Sequence, residues 1–517
     1  MTLNKFNKEI QVKSEKRVRN HGEVLTAKQE VEAMLNLAIS EAVRIESCFL
    51  EPACGDGNFL VEILNRKLQT VKTKYKNKHD DFERNILLAL SRVYGIDILK
   101  DNVDMSIKRI FSLVSEFYKY NLKIEPANEY KELVHFILKK NIIQGDSLNC
   151  SDNIVFPQWK ISKQNYKNRE DFIENIIRLK DIKFDVIIGN PPYQISDGGG
   201  TGDSAKPIYQ LFIQQAKSLN PRYITMIVPS RWMKGGKGLD SFRQEMINDT
   251  RIKFLHDYEN AKNCFPGVHI DGGVCYFLWD RDYKGTVEYH FNSLDGTENV
   301  SHRYLKTEFT DTVIRDSRQI SIIEKACKFK ETKFSSIVFA RNPYGFPADL
   351  FNAPQKYPFV NIREQEGEGL CKIYGVKGKK GGSKRVVGYI NKNCIEKNAE
   401  NAEKYKLFFS KAYMTTSTVP PEIIIGTPNT VCTETFLQIG SFENEELAIN
   451  CLNYIKTKFF RALLFFNRHS LNISRESFGL IPIQDFNEEW SDEKLYKKYD
   501  LSRQEIEYIE STIKPME

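Results

Sequence analysis

Phe49-Leu50-Glu51-Pro52-Ala53-Cys54-Gly55-Asp56-Gly57-Asn58-Phe59-Leu60 is an apolar run that stops at a proline, passes through two glycines and resumes as an amphipathic helix. Strand, glycine turn and helix in that order are the repeating unit of open α/β sheets. A glycine at the carboxyl end of the strand also lets a nucleotide-like ligand come close to the backbone, where a Cβ would block it. The stretch therefore sets the fold class and marks where a ligand site begins.

Downstream, short apolar runs alternate with helical or polar stretches as far as Trp279. The runs are Cys48 to Leu50, Val93 to Ile96, Ile142 to Ile143, Phe184 to Ile188, Ile224 to Val228, a weaker Ile252 to Leu255, and Val274 to Leu278. They predict an α/β domain with a mostly parallel sheet of seven strands. The interval Leu68 to Arg92 exceeds an ordinary connection and Lys160 to Lys183 is highly polar before the fourth strand, and both are expected to hold helical insertions.

Two later runs end in acids. Val93-Tyr94-Gly95-Ile96-Asp97 closes on a carboxylate that can take two ribose hydroxyls, and Ile142-Ile143-Gln144-Gly145-Asp146-Ser147 on one that can accept from an adenine amino group. Each acid alone reads equally well as a helix cap or turn residue. Three acidic strand ends in order are harder to explain that way.

This pattern resembles the class I methyltransferase fold. The resemblance implies S-adenosylmethionine as cofactor, with Glu51, Ala53, Gly55 and Gly57 around its methionine part. It implies Asp97 and Ile98 at the ribose, and Asp146 and Ser147 at the adenine. Upstream, His21-Gly22-Glu23-Val24-Leu25-Thr26-Ala27-Lys28 resembles the motif that precedes the first strand in gamma-class amino-methyltransferases, which assigns Thr26 to the methionine carboxylate. An alanine follows Thr26 where that family often has proline, a departure that touches the loop more than the contact.

Phe184-Asp185-Val186-Ile187-Ile188-Gly189-Asn190-Pro191-Pro192-Tyr193 is the most specific signal in the chain: a buried strand stopped by two prolines, which remove backbone donors and stiffen the exit. An exocyclic amine is a poor nucleophile because its lone pair is delocalised into the ring. A catalyst helps by holding both N–H bonds to acceptors as the methyl group arrives. The Asn190 side-chain carbonyl and the Pro191 main-chain carbonyl are two such acceptors, and Tyr193 can stack on the base. A base inside a duplex must first be flipped out, at a few kcal/mol, offset by stacking of roughly 1–3 kcal/mol.

Asn-Pro-Pro-Tyr resembles the fourth motif of amino-methyltransferases, and in the DNA enzymes the asparagine form goes with adenine. By that resemblance Asn190, Pro191, Pro192 and Tyr193 are catalytic, and Asn190 also borders the cofactor. Lys206 to Ile213 opens a helix after a glycine-rich loop, Gly198 to Gly202, that is suited to close over substrate. Ile227 to Met233 resembles the sixth motif. Cys264 to Val274 resembles the eighth, which assigns Phe265 to the flipped base; ordinary core is the other reading of Phe265.

The motif order resembles the gamma class, the N6-adenine DNA methyltransferases of restriction-modification systems, whose target-recognition domain lies at the carboxyl end. Residues 1–310 are thus expected to form the catalytic domain and residues 311–517 a mixed α+β target-recognition domain that binds double-stranded DNA. In the second part the texture changes to short β-like runs broken by Pro and Gly, and Ser502 and Glu505 stand at capping-box spacing in a terminal helix. The loop Gly375 to Arg385, with Lys379, Lys380 and Arg385, suits a phosphate backbone. Arg341 and Arg468 suit base edges.

Composition is compatible with this reading without requiring it. Forty-one per cent hydrophobic and 28% charged residues describe an ordinary globular chain, and a net charge of +7 permits a polyanionic partner. The ten cysteines are scattered without a C-x-x-C pair, so reduced thiols, no metal site and a cytoplasmic location are expected. About 20 residues precede the first motif, too few for a nuclease domain, so a restriction endonuclease partner is expected to be a separate chain. Cytosine C5 chemistry needs a cysteine nucleophile, and no Pro-Cys dipeptide occurs. N4-cytosine or RNA amino-methylation, and a non-catalytic DNA-binding specificity protein, are the alternatives.

Overall fold

All seven apolar runs are strands in a computed structural model of the chain, which describes residues 17, 24–149, 153–161, 167, 172–195, 206–236, 238–268, 270–378, 382, 384–413, 417–468 and 472–516. They are β1 (Phe49–Glu51), β2 (Val93–Asp97), β3 (Ile142–Gln144), β4 (Val186–Gly189), β5 (Tyr223–Pro229), β6 (Ile252–Tyr258) and β7 (Val274–Asp280). The sheet does not stop there. β8 (Val287–Asn292) and β9 (Glu298–Arg303) extend it to nine strands, where seven were expected. In β8, buried Val287, Tyr289 and Phe291 alternate with half-buried Glu288, His290 and Asn292. This period-two pattern marks a strand with one covered face, and it is easily passed over beside the continuous apolar runs of the sheet centre.

The strand order is β9-β8-β6-β7-β5-β4-β1-β2-β3. β7 pairs antiparallel with both β5 and β6, and β9 with β8; the other pairings are parallel. The chain builds outward from β1 through β2 to β3, then returns to lay β4 on the other side of β1. Connections leave β1 and β4 in opposite directions at that reversal, which opens a crevice beyond their carboxyl ends.

Helices α1 (Lys28–Leu37), α2 (Asn58–Tyr75), α3 (His79–Leu90), α4 (Lys100–Leu122), α5 (Asn128–Asn141), α6 (Tyr209–Ser218) and α7 (Asp240–Asn248) accompany the sheet. α2 buries Phe59, Leu60, Ile63, Leu64, Lys67, Leu68 and Val71, the three-to-four spacing of one helical face. Each apolar member contributes about 1.5–3 kcal/mol by leaving water. Lys67 is the exception in that stripe. Its ammonium donates to the carbonyls of Arg44 (2.8 Å), Ile45 (3.0 Å) and Ser47 (2.6 Å), and lost hydration draws its pKa down to about 7.

The interval Leu68 to Arg92 is helical, as its length suggested. The described part of Lys160 to Lys183 is mainly strand: Ile173–Arg178 pairs antiparallel with Val155–Trp159, and only the single 3-10 turn Leu179–Asp181 follows it. β-branched Ile173, Ile176 and Ile177 favour a pleated surface over a helix.

Contacts divide the chain into two units, Met1–Thr307 with Asp311–Arg315, and Glu308–Thr310 with Asp316–Glu517. The second has two three-stranded sheets. β10 (Leu370–Lys377) lies between β11 (Lys384–Asn391) and the short β14 (Thr430–Cys432), and β12 (Tyr405–Ser410) between β13 (Ile424–Gly426) and β15 (Phe436–Phe442). Among the described residues its longer helices are α8 (Arg318–Cys327), α9 (Glu445–Lys456), α10 (Lys458–Asn467), α11 (Asp492–Lys498) and α12 (Arg503–Thr512). The single terminal helix expected is two, separated at Asp500, whose φ of 51° is left-handed. The capping box of Ser502 and Glu505 starts the second. Among the described residues, no helix is long and apolar enough to cross a membrane.

Candidate active site

The exits of β1, β2, β3 and β4 open on one cavity. Thr26, Glu51, Ala53, Gly55, Asp97, Ile98, Asp146, Ser147, Asn190 and Pro192 line it, so most residues singled out in the sequence meet there. Pro191, Tyr193, Gly57 and Phe265 are not among the residues that line it.

The glycine turn has the geometry its composition suggests. Gly55 and Gly57 have φ of 53° and 87°, and Gly57 caps α2. A Cβ on Gly57 would stand 2.8 Å from the Ser106 hydroxyl, which itself donates to the Gly55 carbonyl at 3.0 Å. Asp97 reaches across from β2: one carboxylate oxygen accepts from the Gly55 N–H at 2.8 Å, the other from the Leu99 N–H at 2.8 Å and Asn102 Nδ2 at 3.1 Å. It ties two strand exits together while still bordering the cavity. Asp146 closes its own turn by accepting from the N–H groups of Leu148 and Asn149, both at 3.0 Å. Burial raises its pKa, but the Asn149 backbone and side chain and the Leu148 N–H outweigh burial and hold it below the usual carboxylate range.

Buried polar atoms at this cavity without a hydrogen-bond partner include Glu51 Oε2, Thr26 Oγ1 and Asn190 Oδ1. Burial, followed by the negative charges of Asp97 and Asp56, pushes the Glu51 carboxyl well above its ordinary pKa. Buried polar groups in folded proteins are almost always satisfied, so these unmet carboxyl, hydroxyl and amide oxygens around one cavity describe a site shaped for a polar ligand.

Asn190 follows β4, whose neighbour is β1. Gly189 lies against Glu51, with a hypothetical Cβ 3.4 Å from Glu51 Cγ. The Asn190 amide is oriented by its other end, since Nδ2 donates to the Val24 carbonyl at 2.8 Å. Tyr193 is largely buried, and Phe265 packs edge-on against it at 6.4 Å between ring centroids. Phe265 is 0% exposed, packed in the core against Tyr193, which favours the core reading of this residue.

On the third strand exit, Ser147 Oγ donates to the Pro52 carbonyl at 2.7 Å. Ile208 and Phe212, at the start of α6, complete the wall. The glycine-rich loop Gly198 to Gly202, His21 to Glu23, Lys379 and Lys380 lie outside the described residues. Sequence reading missed Asn102, Ser106 and Arg109. They occupy positions i, i+4 and i+7 of α4 and face the glycine turn; three polar residues on one helical stripe were the available signal.

In the second unit the arginines part company. Arg341, 80% exposed in its side chain, pairs with Glu434, and Arg385 pairs with Glu422 at 2.7 Å. Arg468 is corrected. Only 3% exposed, it lies 3.9 Å over the Tyr413 ring and donates to the Ser417 carbonyl at 2.7 Å, a buried structural position.

Residues 91–265 match the Eco57I restriction-modification methylase family. An adenine-specific methylase of Mycoplasma pneumoniae, itself uncharacterised, is 34% identical over 158 residues, 30% of this chain and 37% of that protein. The adenine-specific methyltransferase PglX of Streptomyces coelicolor is 26% identical over 165 residues, 31% of this chain and 13% of its own length. The matches thus span well under half of either curated relative. A solved structure of the Type IIL restriction-modification enzyme MmeI in complex with DNA is 14% identical at a TM-score of 0.44, covering 85% of this chain and 65% of that one. The family and curated matches bear out the resemblance to adenine-specific methylases drawn from the motifs.

Proposed function

We propose that this chain transfers a methyl group from S-adenosylmethionine to the exocyclic N6 of an adenine flipped out of double-stranded DNA. The observation that carries the reading is the Asn190 amide. Its Nδ2 is held by the Val24 carbonyl, so its Oδ1 is left as an unpartnered acceptor beside the cavity of the glycine turn.

The unmet groups fit the cofactor. Glu51 Oε2 suits its ammonium, the Thr26 hydroxyl its carboxylate, Asp97 and Ile98 its ribose, and Asp146 with Ser147 its adenine amino group. Ala53, Gly55 and Gly57 keep the path clear of side chains. When bound, S-adenosylmethionine supplies an electrophilic methyl group on a sulfonium. Asn190 Oδ1 takes one N6–H and the Pro191 carbonyl the other, which pulls the nitrogen lone pair out of ring conjugation as attack begins. Acceptors fixed before reaction need no reorganisation, the main source of electrostatic rate enhancement. Pro191 and Pro192 keep the corner stiff, and Tyr193, braced by Phe265, is the stacking surface.

Residues 311–517 supply target recognition in this reading, with Lys379, Lys380 and Arg385 at phosphates and Arg341 at the surface that meets DNA. A restriction endonuclease partner is a separate chain, and the complex works in the cytoplasm. Mapping methylated bases in DNA from a host expressing the chain, beside an Asn190→Ala variant, tests this. N6-methyladenine at a fixed sequence in the first and none in the second is expected. N4-methylcytosine or unmodified DNA in the first would overturn it.

A further inference from the structure

Two side chains outside the catalytic tetrapeptide join the glycine turn to the segment preceding α1. Asn58, the first residue of α2, donates from Nδ2 to the Thr26 carbonyl at 2.9 Å. Its Oδ1 accepts from Arg109 Nη1 at 2.8 Å, and that nitrogen also donates to the Asp56 carbonyl at 2.8 Å. Arg109 further pairs with the Asp56 carboxylate at 3.2 Å. α4, α2 and the segment Val24–Thr26 are thereby linked in series.

That segment has neither helix nor strand to fix it. Yet it carries two groups the site depends on: the Val24 carbonyl that orients Asn190, and the Thr26 hydroxyl facing the cavity. Whatever holds Thr26 in place therefore also sets the direction of Asn190 Oδ1.

We propose that Asn58 and Arg109 are positioning residues for methyl transfer, a clamp that fixes Val24–Thr26 against the glycine turn and so aims Asn190 and Thr26 into the cavity. The inference rests on the function proposed above. Should the Val24 carbonyl drift by about 1 Å, the Asn190 amide loses its anchor, and misplacement of that size is worth about 100-fold in rate. The clamp touches no reacting atom; it acts through Val24.

Asn58→Asp tests it nearly isosterically. The aspartate keeps an acceptor for Arg109 but sets a carboxylate oxygen, in place of a donor, against the Thr26 carbonyl. Arg109→Ala cuts the other end, and because that side chain is 34% exposed its removal spares the core. Each variant and the unaltered chain are compared by steady-state methyl transfer to DNA, calorimetric binding of S-adenosylhomocysteine, and thermal unfolding. Turnover per folded molecule should fall about 10- to 100-fold with the KM for DNA within about twofold, and S-adenosylhomocysteine should bind several-fold more weakly as Thr26 loses its place. Unaltered turnover per folded molecule in both variants, whatever happens to their melting temperature, would overturn the clamp alone. An unaltered chain that neither binds S-adenosylhomocysteine nor methylates DNA would overturn the functional reading, and the clamp with it.

Discussion

Gly57 and Ser106 stand so close that a methyl group on the glycine would lie 2.8 Å from the serine hydroxyl. The turn after β1 and the helix after β2 therefore share one space, and glycine is what allows it. Gly57→Ala faces a second obstacle, because a φ of 87° costs a residue with a Cβ about 1–2 kcal/mol. S-adenosylhomocysteine affinity is expected to drop at least about tenfold, with a melting temperature several degrees lower; calorimetry and thermal unfolding read the two effects separately.

Asn190→Ala removes the acceptor at the centre of the proposed chemistry. Losing one preorganised partner of this kind lowers turnover by about 100- to 1,000-fold. S-adenosylhomocysteine should bind within about threefold of the unaltered chain, and stability should fall by only about 1 kcal/mol, the worth of the bond to Val24. Near-normal single-turnover rates in this variant would remove the basis of the mechanism.

Arg468→Ala is expected to act on folding. The substitution removes a buried guanidinium stacked on Tyr413 and bonded to the Ser417 carbonyl, so a loss of about 1–3 kcal/mol in urea denaturation should accompany unchanged DNA affinity of the folded protein. A base-specific loss of DNA binding without loss of stability would return Arg468 to the recognition surface.

Asp257 is fully buried and receives Arg315 Nη2 at 2.7 Å, Ser230 Oγ at 2.6 Å and the Tyr289 hydroxyl at 2.8 Å. Asp257→Asn keeps the shape but leaves the Arg315 charge uncompensated. Breaking a buried pair from one side costs about 3–5 kcal/mol, to be measured by denaturant unfolding. A change below about 1 kcal/mol would mean that the guanidinium finds other support.

Acid stability should depend on Asp249. Burial alone would raise its pKa, yet the hydrogen bond from Arg251, the charge of Lys217 and the Trp279 indole bring it down to about 2. A carboxyl depressed in the folded state stabilises above its unfolded pKa of about 4, and the contribution fades as pH falls from there towards 2. The difference is about 2 kcal/mol. In Asp249→Asn the stability-against-pH curve should be flatter by that amount across the window; an identical slope in both proteins would reject the assignment.

Seven strands were legible because their apolar runs are local and continuous. The two added strands were not, since in Val287 to Asn292 every second residue is polar, glutamate, histidine and asparagine on the open face, so no continuous apolar run marks it. The reversed reading of Lys160 to Lys183 came from polarity, which describes exposure and leaves helix and strand undecided. Phe265 and Arg468 show the other limit: a phenylalanine within a motif and an arginine near a loop each have two destinations in sequence, and only tertiary burial weighs between them.

By itself the sequence determined the order of the chemistry along the chain: the glycine turn after β1, acids after β2 and β3, and the Asn-Pro-Pro-Tyr corner after β4. Each depends on residues adjacent in the chain, whose steric preferences act without outside help. Tertiary structure decided which groups meet. The return of the chain to place β4 against β1 brought Asn190 to Glu51, and Val24, 166 residues earlier, turned its amide oxygen towards the cavity. A hydrogen bond across that separation follows from how the sheet is wound, and no local pattern encodes it.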